Sequence, residues 1–189
     1  MAIFKGSEIL NQFQGVRVLE TLRNPAFPAV KALARDRPSA QNQAVTPLER
    51  RLRHHLIASM RDTGRAPSID ESALALGLPA EEVRAALHAL ADAHRLALRP
   101  ASDALWMVHP FSAVPSDFIV TSGGRTWWAN CVWDGLSILA LVGDGWLETH
   151  EPSSRAPIRL TVSGGRVLGD ALVHFLVSAR CFWDDIGFT

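Results

Sequence analysis

Long apolar runs are missing from this 189-residue chain. The longest candidate, Leu136 to Val142, falls far short of the ~20 residues that cross a bilayer, so a membrane-spanning helix is excluded at the outset. The N-terminus, MAIFKGSEIL, sets Glu8 where a signal peptide would need its apolar part, and no small-residue cleavage pattern follows it. A cytoplasmic protein is therefore expected. Cysteine is scarce as well, with two in the chain, Cys131 and Cys181. In a reducing compartment such a pair is read as free thiols or ligands rather than as a disulfide framework. No internal repeat, low-complexity tract, nucleotide fingerprint or zinc-type spacing is present.

Net charge is also lacking, since nineteen Lys or Arg balance nineteen Asp or Glu. The balance is uneven along the chain: residues 1–66 hold eleven basic against five acidic side chains, and residues 67–189 hold eight against fourteen. Solvated faces and docking between two parts of one protein account for this pattern more simply than a nucleic-acid surface. What the chain does have is 48% hydrophobic residues with 20% charged, an ordinary globular balance able to bury a core.

Residues 1–45 read as an N-terminal extension and linker. Helical spacing shows around Val16 to Leu22 and Ala29 to Ala34, broken by Pro25, Pro28 and Pro38. Thr46-Pro47-Leu48-Glu49 is a capping box with proline in the first turn, so a helix begins there, with Leu48, Leu52, Leu56 and Met60 as its apolar stripe and Gly64 near its end. Ser68-Ile69-Asp70-Glu71 opens a second, short helix stopping at Gly77. Pro79 starts a third, with Val83, Ala86, Leu87 and Leu90 inward. Two extended pieces follow, Arg95 to Leu98 and Leu105 to His109, separated by a polar turn. The pattern over 46–110 is that of a winged-helix-like domain. Pro79-Ala80-Glu81-Glu82 would set two carboxylates against a phosphate backbone, which argues for a scaffold and against DNA reading.

From Phe111 the texture changes to strands and glycine-rich turns, and 111–189 is read as a small mixed α/β core, giving an α+β chain overall. A hairpin is expected from Asp117 to Thr121 and Arg125 to Ala129. A helix is expected over Cys131 to Val142, stopped by Gly143, and further strands at Trp146 to Thr149, Ile158 to Val162 and Leu172 to Val177. In the run WWANCVWDGLSILALVG, Cys131 stands at the helix start and Asp134 one turn on, which puts sulfur and carboxyl on the same face. The helix dipole favours a thiolate there, lowering the usual thiol value. Trp127, Trp128 and Trp133 are positioned to exclude water and to keep Asp134 partly protonated. The plainer reading makes Cys131 a small buried hydrophobe and Asp134 a satisfied cap.

The capped three-helix module, then W-W-A-N-C-V-W-D-G-L-S-I-L-A-L-V-G, then Ala156-Pro157-Ile158-Arg159-Leu160-Thr161-Val162, resembles the alkylmercury lyase (organomercurial lyase) family over roughly Thr46 to Thr189. The resemblance implies a winged-helix-like part on a mixed α/β catalytic core, and cleavage of a carbon–mercury bond by protonolysis. It makes Cys131 and Asp134 catalytic, with cysteine sulfur gripping the soft metal and the aspartate delivering a proton to the leaving carbon. It also places Cys131 and Asp134 around mercury, with Cys181 the candidate third residue there if it substitutes for the family's second cysteine. By the register of Asp184-Asp185-Ile186-Gly187-Phe188-Thr189, the family's second cysteine falls immediately after Thr189, and Cys181 is the other thiol of this chain. No cofactor is implied; mercury belongs to substrate and product, and external small thiols or a mercuric reductase receive the metal. The partners expected are thus a small-molecule substrate and these acceptors, with no nucleic acid and no membrane. Two alternatives stay open: a lyase-fold enzyme recruited to other chemistry with Cys131 as nucleophile, and a winged-helix metal-responsive regulator with Cys131 and Cys181 as ligands.

Other residues carry less. His54 and His55 are neighbours on a helix and point different ways. His174, between Val173 and Phe175 in an expected strand, reads as a hydrogen-bonded structural histidine. Ser122-Gly123-Gly124 and Ser163-Gly164-Gly165 do not precede helices as phosphate-cradling loops do. Trp183, Asp184 and Asp185 mark a surface-to-core transition.

Overall fold

A computed structural model describes residues 16–20, 44–169, 171–175, 177 and 179–187. The first strand, β1 (Val16–Glu20), stands where the spacing predicts helix. It pairs in parallel with β10 (Ala171–Phe175), from Val16 opposite Ala171 to Glu20 opposite Phe175. A helical period over so few residues is a weak signal that pairing with a distant strand overrides. The helix expected at Ala29 to Ala34 lies outside the described residues.

Both capping boxes form. In α1 (Pro47–Thr63) the Thr46 hydroxyl accepts from the Glu49 N–H at 3.2 Å while the Glu49 carboxylate accepts from the Thr46 N–H at 3.0 Å. Ser68 and Glu71 repeat this at the start of α2 (Ile69–Leu76). Gly64 and Gly77 end the two helices in the left-handed region, at φ 73° and 67°, which glycine enters without a Cβ penalty. In α3 (Ala80–Asp92), Val83, Ala86, Leu87 and Leu90 are all buried, as their spacing predicts. These meet Leu52, Leu56 and Met60 of α1 in one cluster.

The strands β2 (Ala97–Leu98), β3 (Leu105–Val108), β4 (Phe111–Ser112), β5 (Phe118–Ser122), β6 (Arg125–Ala129), β7 (Gly145–His150), β8 (Pro157–Ser163) and β9 (Arg166–Leu168) form one antiparallel sheet, in the order β2-β3-β4-β6-β5-β7-β8-β9. The pieces expected as a wing are thus the first two strands of this sheet. The hairpin from β5 to β6 turns on Gly123 and Gly124, with φ of 54° and 76°, the two positive values that a two-residue turn of matching twist requires.

Alternation along the strands gives the sheet one buried face. Trp127, Val120, Leu147 and Leu160 lie on it in cross-strand register and are almost wholly buried. Helix α4 (Val132–Val142) covers that face with Leu136, Ile138 and Leu139. The approach is close at Gly135, where a Cβ would fall 2.7 Å from a Leu147 methyl. Trp127 also ties the sheet to the helical module: its indole N–H lies 2.9 Å from the Met60 carbonyl, which also accepts the Gly64 N–H, and 3.1 Å from that of Arg61, in the last turn of α1. Among the described residues no helix is long and apolar enough to cross a membrane.

Gly135→Val forces α4 off β7 and is expected to cost on the order of 1–3 kcal/mol, as overpacked core positions do. Chemical denaturation of the variant measures it. An unchanged midpoint would show that the contact with Leu147 is not tight.

Candidate active site

Strand pairing determines which side chains meet at the start of α4. Phe111 of β4 lies opposite Ala129 of β6, and Ser112 opposite Trp128. One step beyond this pair, His109-Pro110 on one side runs beside Asn130-Cys131 on the other. The His109–Pro110 peptide is cis. The extended backbone of Cys131, at φ −155° and ψ 179°, makes it the N-cap of α4. Its Sγ accepts the Asp134 N–H at 3.5 Å, a sulfur cap in place of the usual oxygen.

Asp134 faces inward from the first turn. Its side chain is 11% exposed, and both carboxyl oxygens are held: Asn130 Nδ2 donates to Oδ2 at 2.8 Å, and His109 Nδ1 lies 2.5 Å from Oδ1. The His109 side chain is 59% exposed, so the imidazole spans from the enclosed carboxyl to solvent. A carboxyl with so little water needs such partners.

The thiol departs from the sequence expectation. A helix start lowers a thiol value, yet Cys131 is pushed up to about 11. Burial is the largest cause and the neighbouring Asp134 carboxylate the next, and together they outweigh the N–H groups of Asp134 and Trp133 that favour the anion. Cys131 at neutral pH is therefore a thiol with a carboxylate beside it, not a preformed thiolate.

The tryptophans do not act as one wall. Trp127 points under the sheet to the end of α1, whereas Trp128, on the opposite face, is 36% exposed. Trp133 is half-buried in the first turn of α4. Cys181, also half-buried, sits in a 3-10 turn (Ala179–Asp184). Its neighbours reach elsewhere, Trp183 stacking on His94 at 4.5 Å and Phe182 meeting Phe175 at 5.4 Å. Among the described residues no three His, Cys, Asp or Glu side chains gather as a metal-holding group. His54 is exposed on α1 and His174 on β10. A cavity of about 550 Å³ lies among α1, α2, α3 and β3, floored by Leu52, Leu56, Val83 and Leu87. Neither Cys131 nor Asp134 lines it.

Asn130 and His109 are members of the site that the sequence does not announce. Asn130 is four residues before Asp134, a spacing that joins neighbouring turns and is a usable signal. The sequence places His109 at the end of a strand, and its position beside Asp134 needs the β4–β6 register.

Three comparisons bear on this arrangement. Residues 111–188 match the family model described as alkylmercury lyase. A crystal structure of the mercury-bound form of MerB2 is similar to the chain with a TM-score of 0.56 and 23% sequence identity, covering 66% of this chain and 60% of that one. The chain thus spans about 60% of the length of that relative, and the likeness is one of fold, a mixed α+β structure. No curated protein matches the chain.

In a Cys181→Ser background, alkylation of Cys131 by iodoacetamide is expected to be slow at neutral pH and to climb with pH towards about 11, because the reactive anion appears only as the raised value is approached. Asp134→Asn removes the carboxylate that disfavours that anion, and the profile should move to lower pH. A rate already level at neutral pH would contradict the buried-thiol description.

Proposed function

Residues 111–188 match the family model described as alkylmercury lyase, and from that premise we propose that this protein cleaves carbon–mercury bonds of organomercurials by protonolysis. The observation that carries the reading is the placing of the Cys131 sulfur at the N-cap of α4, where it accepts the Asp134 N–H at 3.5 Å and lies near enough to the Asp134 carboxylate for that charge to push the thiol up. A resting thiol suits the chemistry better than a thiolate would. Mercury, a soft metal, prefers sulfur, and as the Cys131 sulfur bonds to it the thiol proton passes to the Asp134 carboxylate while the mercury's previous ligand departs. The same proton then goes to the carbon. The carbon–mercury electron pair takes it up, giving a hydrocarbon and Hg(II) on sulfur, with Asp134 again a carboxylate. Nothing is oxidised or reduced, so no redox cofactor enters the balance.

Small thiols, or a mercuric reductase, then remove the metal, and a reducing cytoplasm supplies the former. Residues 46–110 serve as a winged-helix-like scaffold rather than a DNA reader: Glu81 and Glu82 stand at the start of α3, Glu81 paired to Arg84 at 2.8 Å. The core of 111–189 holds the chemistry, and the extension of 1–45 lies before both. Cys181 is a secondary mercury ligand in this reading, after capture by Cys131.

Phenylmercury with excess small thiol tests this. Wild-type protein should release benzene; in a Cys181→Ser background, Cys131→Ser should lose both capture and release, and Asp134→Asn should capture stoichiometrically while release falls by roughly two orders of magnitude or more, the usual worth of a positioned acid. Capture without benzene from the wild type would favour a metal-responsive regulator. Inertness to the mercurial with rapid thiol alkylation would favour other cysteine chemistry.

A further inference from the structure

We propose, resting on the reading that Asp134 delivers the proton, that His109 is a positioning residue for that step: its Nδ1 fixes the plane of the Asp134 carboxyl against the Cys131 sulfur. The last torsion of an aspartate is soft and nearly two-fold, so a single hydrogen bond leaves the carboxyl free to swing. Asn130, on the same chain segment, holds Oδ2 at 2.8 Å. His109, arriving from the end of β3, holds Oδ1 at 2.5 Å. Two partners on two oxygens from two directions leave one orientation. The frame is shared with the sulfur, because Cys131 Sγ takes the N–H of the same Asp134 residue.

Satisfying one oxygen of a carboxyl that is only 11% exposed gives His109 a structural role as well, and that role is read in folding and capture rather than in turnover alone. Fixing a reacting group, by contrast, has a large kinetic consequence, since small misplacements of reacting atoms cost orders of magnitude in rate. What the step needs from His109 is a hydrogen-bond donor at the Nδ1 position. Asparagine offers one at the same number of bonds from the backbone, and phenylalanine offers the ring without it.

The experiment compares wild type, His109→Phe and His109→Asn with phenylmercury and excess small thiol, reading the benzene turnover number, KM and the stoichiometry of mercury capture. His109→Phe is expected to lose roughly ten- to a hundredfold in turnover with capture and KM unchanged. His109→Asn should recover most of that loss. Wild-type turnover in both variants would overturn the inference alone. Equal loss in both would overturn it too, showing that the ring does more than donate, and a loss of capture alongside turnover would make His109 structural. No benzene from the wild type would remove the parent reading and this inference together.

Discussion

A carboxyl nearly closed off from water has to be satisfied by the protein, and the region around α4 is organised about that need at Asp134. Register between β4 and β6 carries His109 to one oxygen. The last residue before the N-cap supplies Asn130 to the other. The cap itself, Cys131, takes the backbone N–H. Removing the β4–β6 pairing would leave the helix start intact and the carboxyl half-held. The site is thus a property of the sheet as much as of the run WWANCVWDGLSILALVG.

The same burial decides the state of the sulfur. Two opposing effects meet at Cys131: the N–H groups of a helix start favour the anion, while desolvation and a neighbouring carboxylate disfavour it. The second set wins, because a helix end acts through partial charges worth a fraction of a kcal/mol to about 2 kcal/mol, whereas removing water from an ionised group costs more. In the proposed reaction, a protonated sulfur next to a carboxylate would store the proton that protonolysis consumes, and the bond of a soft metal to sulfur would make loss of that proton favourable.

Features set by neighbours in the chain are legible in the sequence. The capping boxes at Thr46 and Ser68, the left-handed stops at Gly64 and Gly77, the turn at Gly123-Gly124 and the inward face of α3 all follow from spacings of a few residues. Features set by long-range register are not. The strand over Val16–Glu20 exists through pairing with residues 171–175. Three tryptophans close in sequence suggest one wall around the site, yet alternation along β6 sends Trp127 under the sheet to cap α1 and leaves Trp128 on the outer face. His109 gains its partner only with β4 placed beside β6. The nearness of Cys131 and Asp134 follows from helical spacing, while the ionisation of the sulfur depends on burial that no spacing reports.

The central claim is that an organomercurial is taken at Cys131 with the Asp134 carboxyl facing it. The most direct test is a crystal of the protein soaked with phenylmercury and measured at the mercury absorption edge, which locates the metal without reference to activity. The account predicts one principal mercury peak within bonding distance of Cys131 Sγ, on the side to which Asp134 points. Mercury bound to Cys181 with Cys131 unmodified would contradict it.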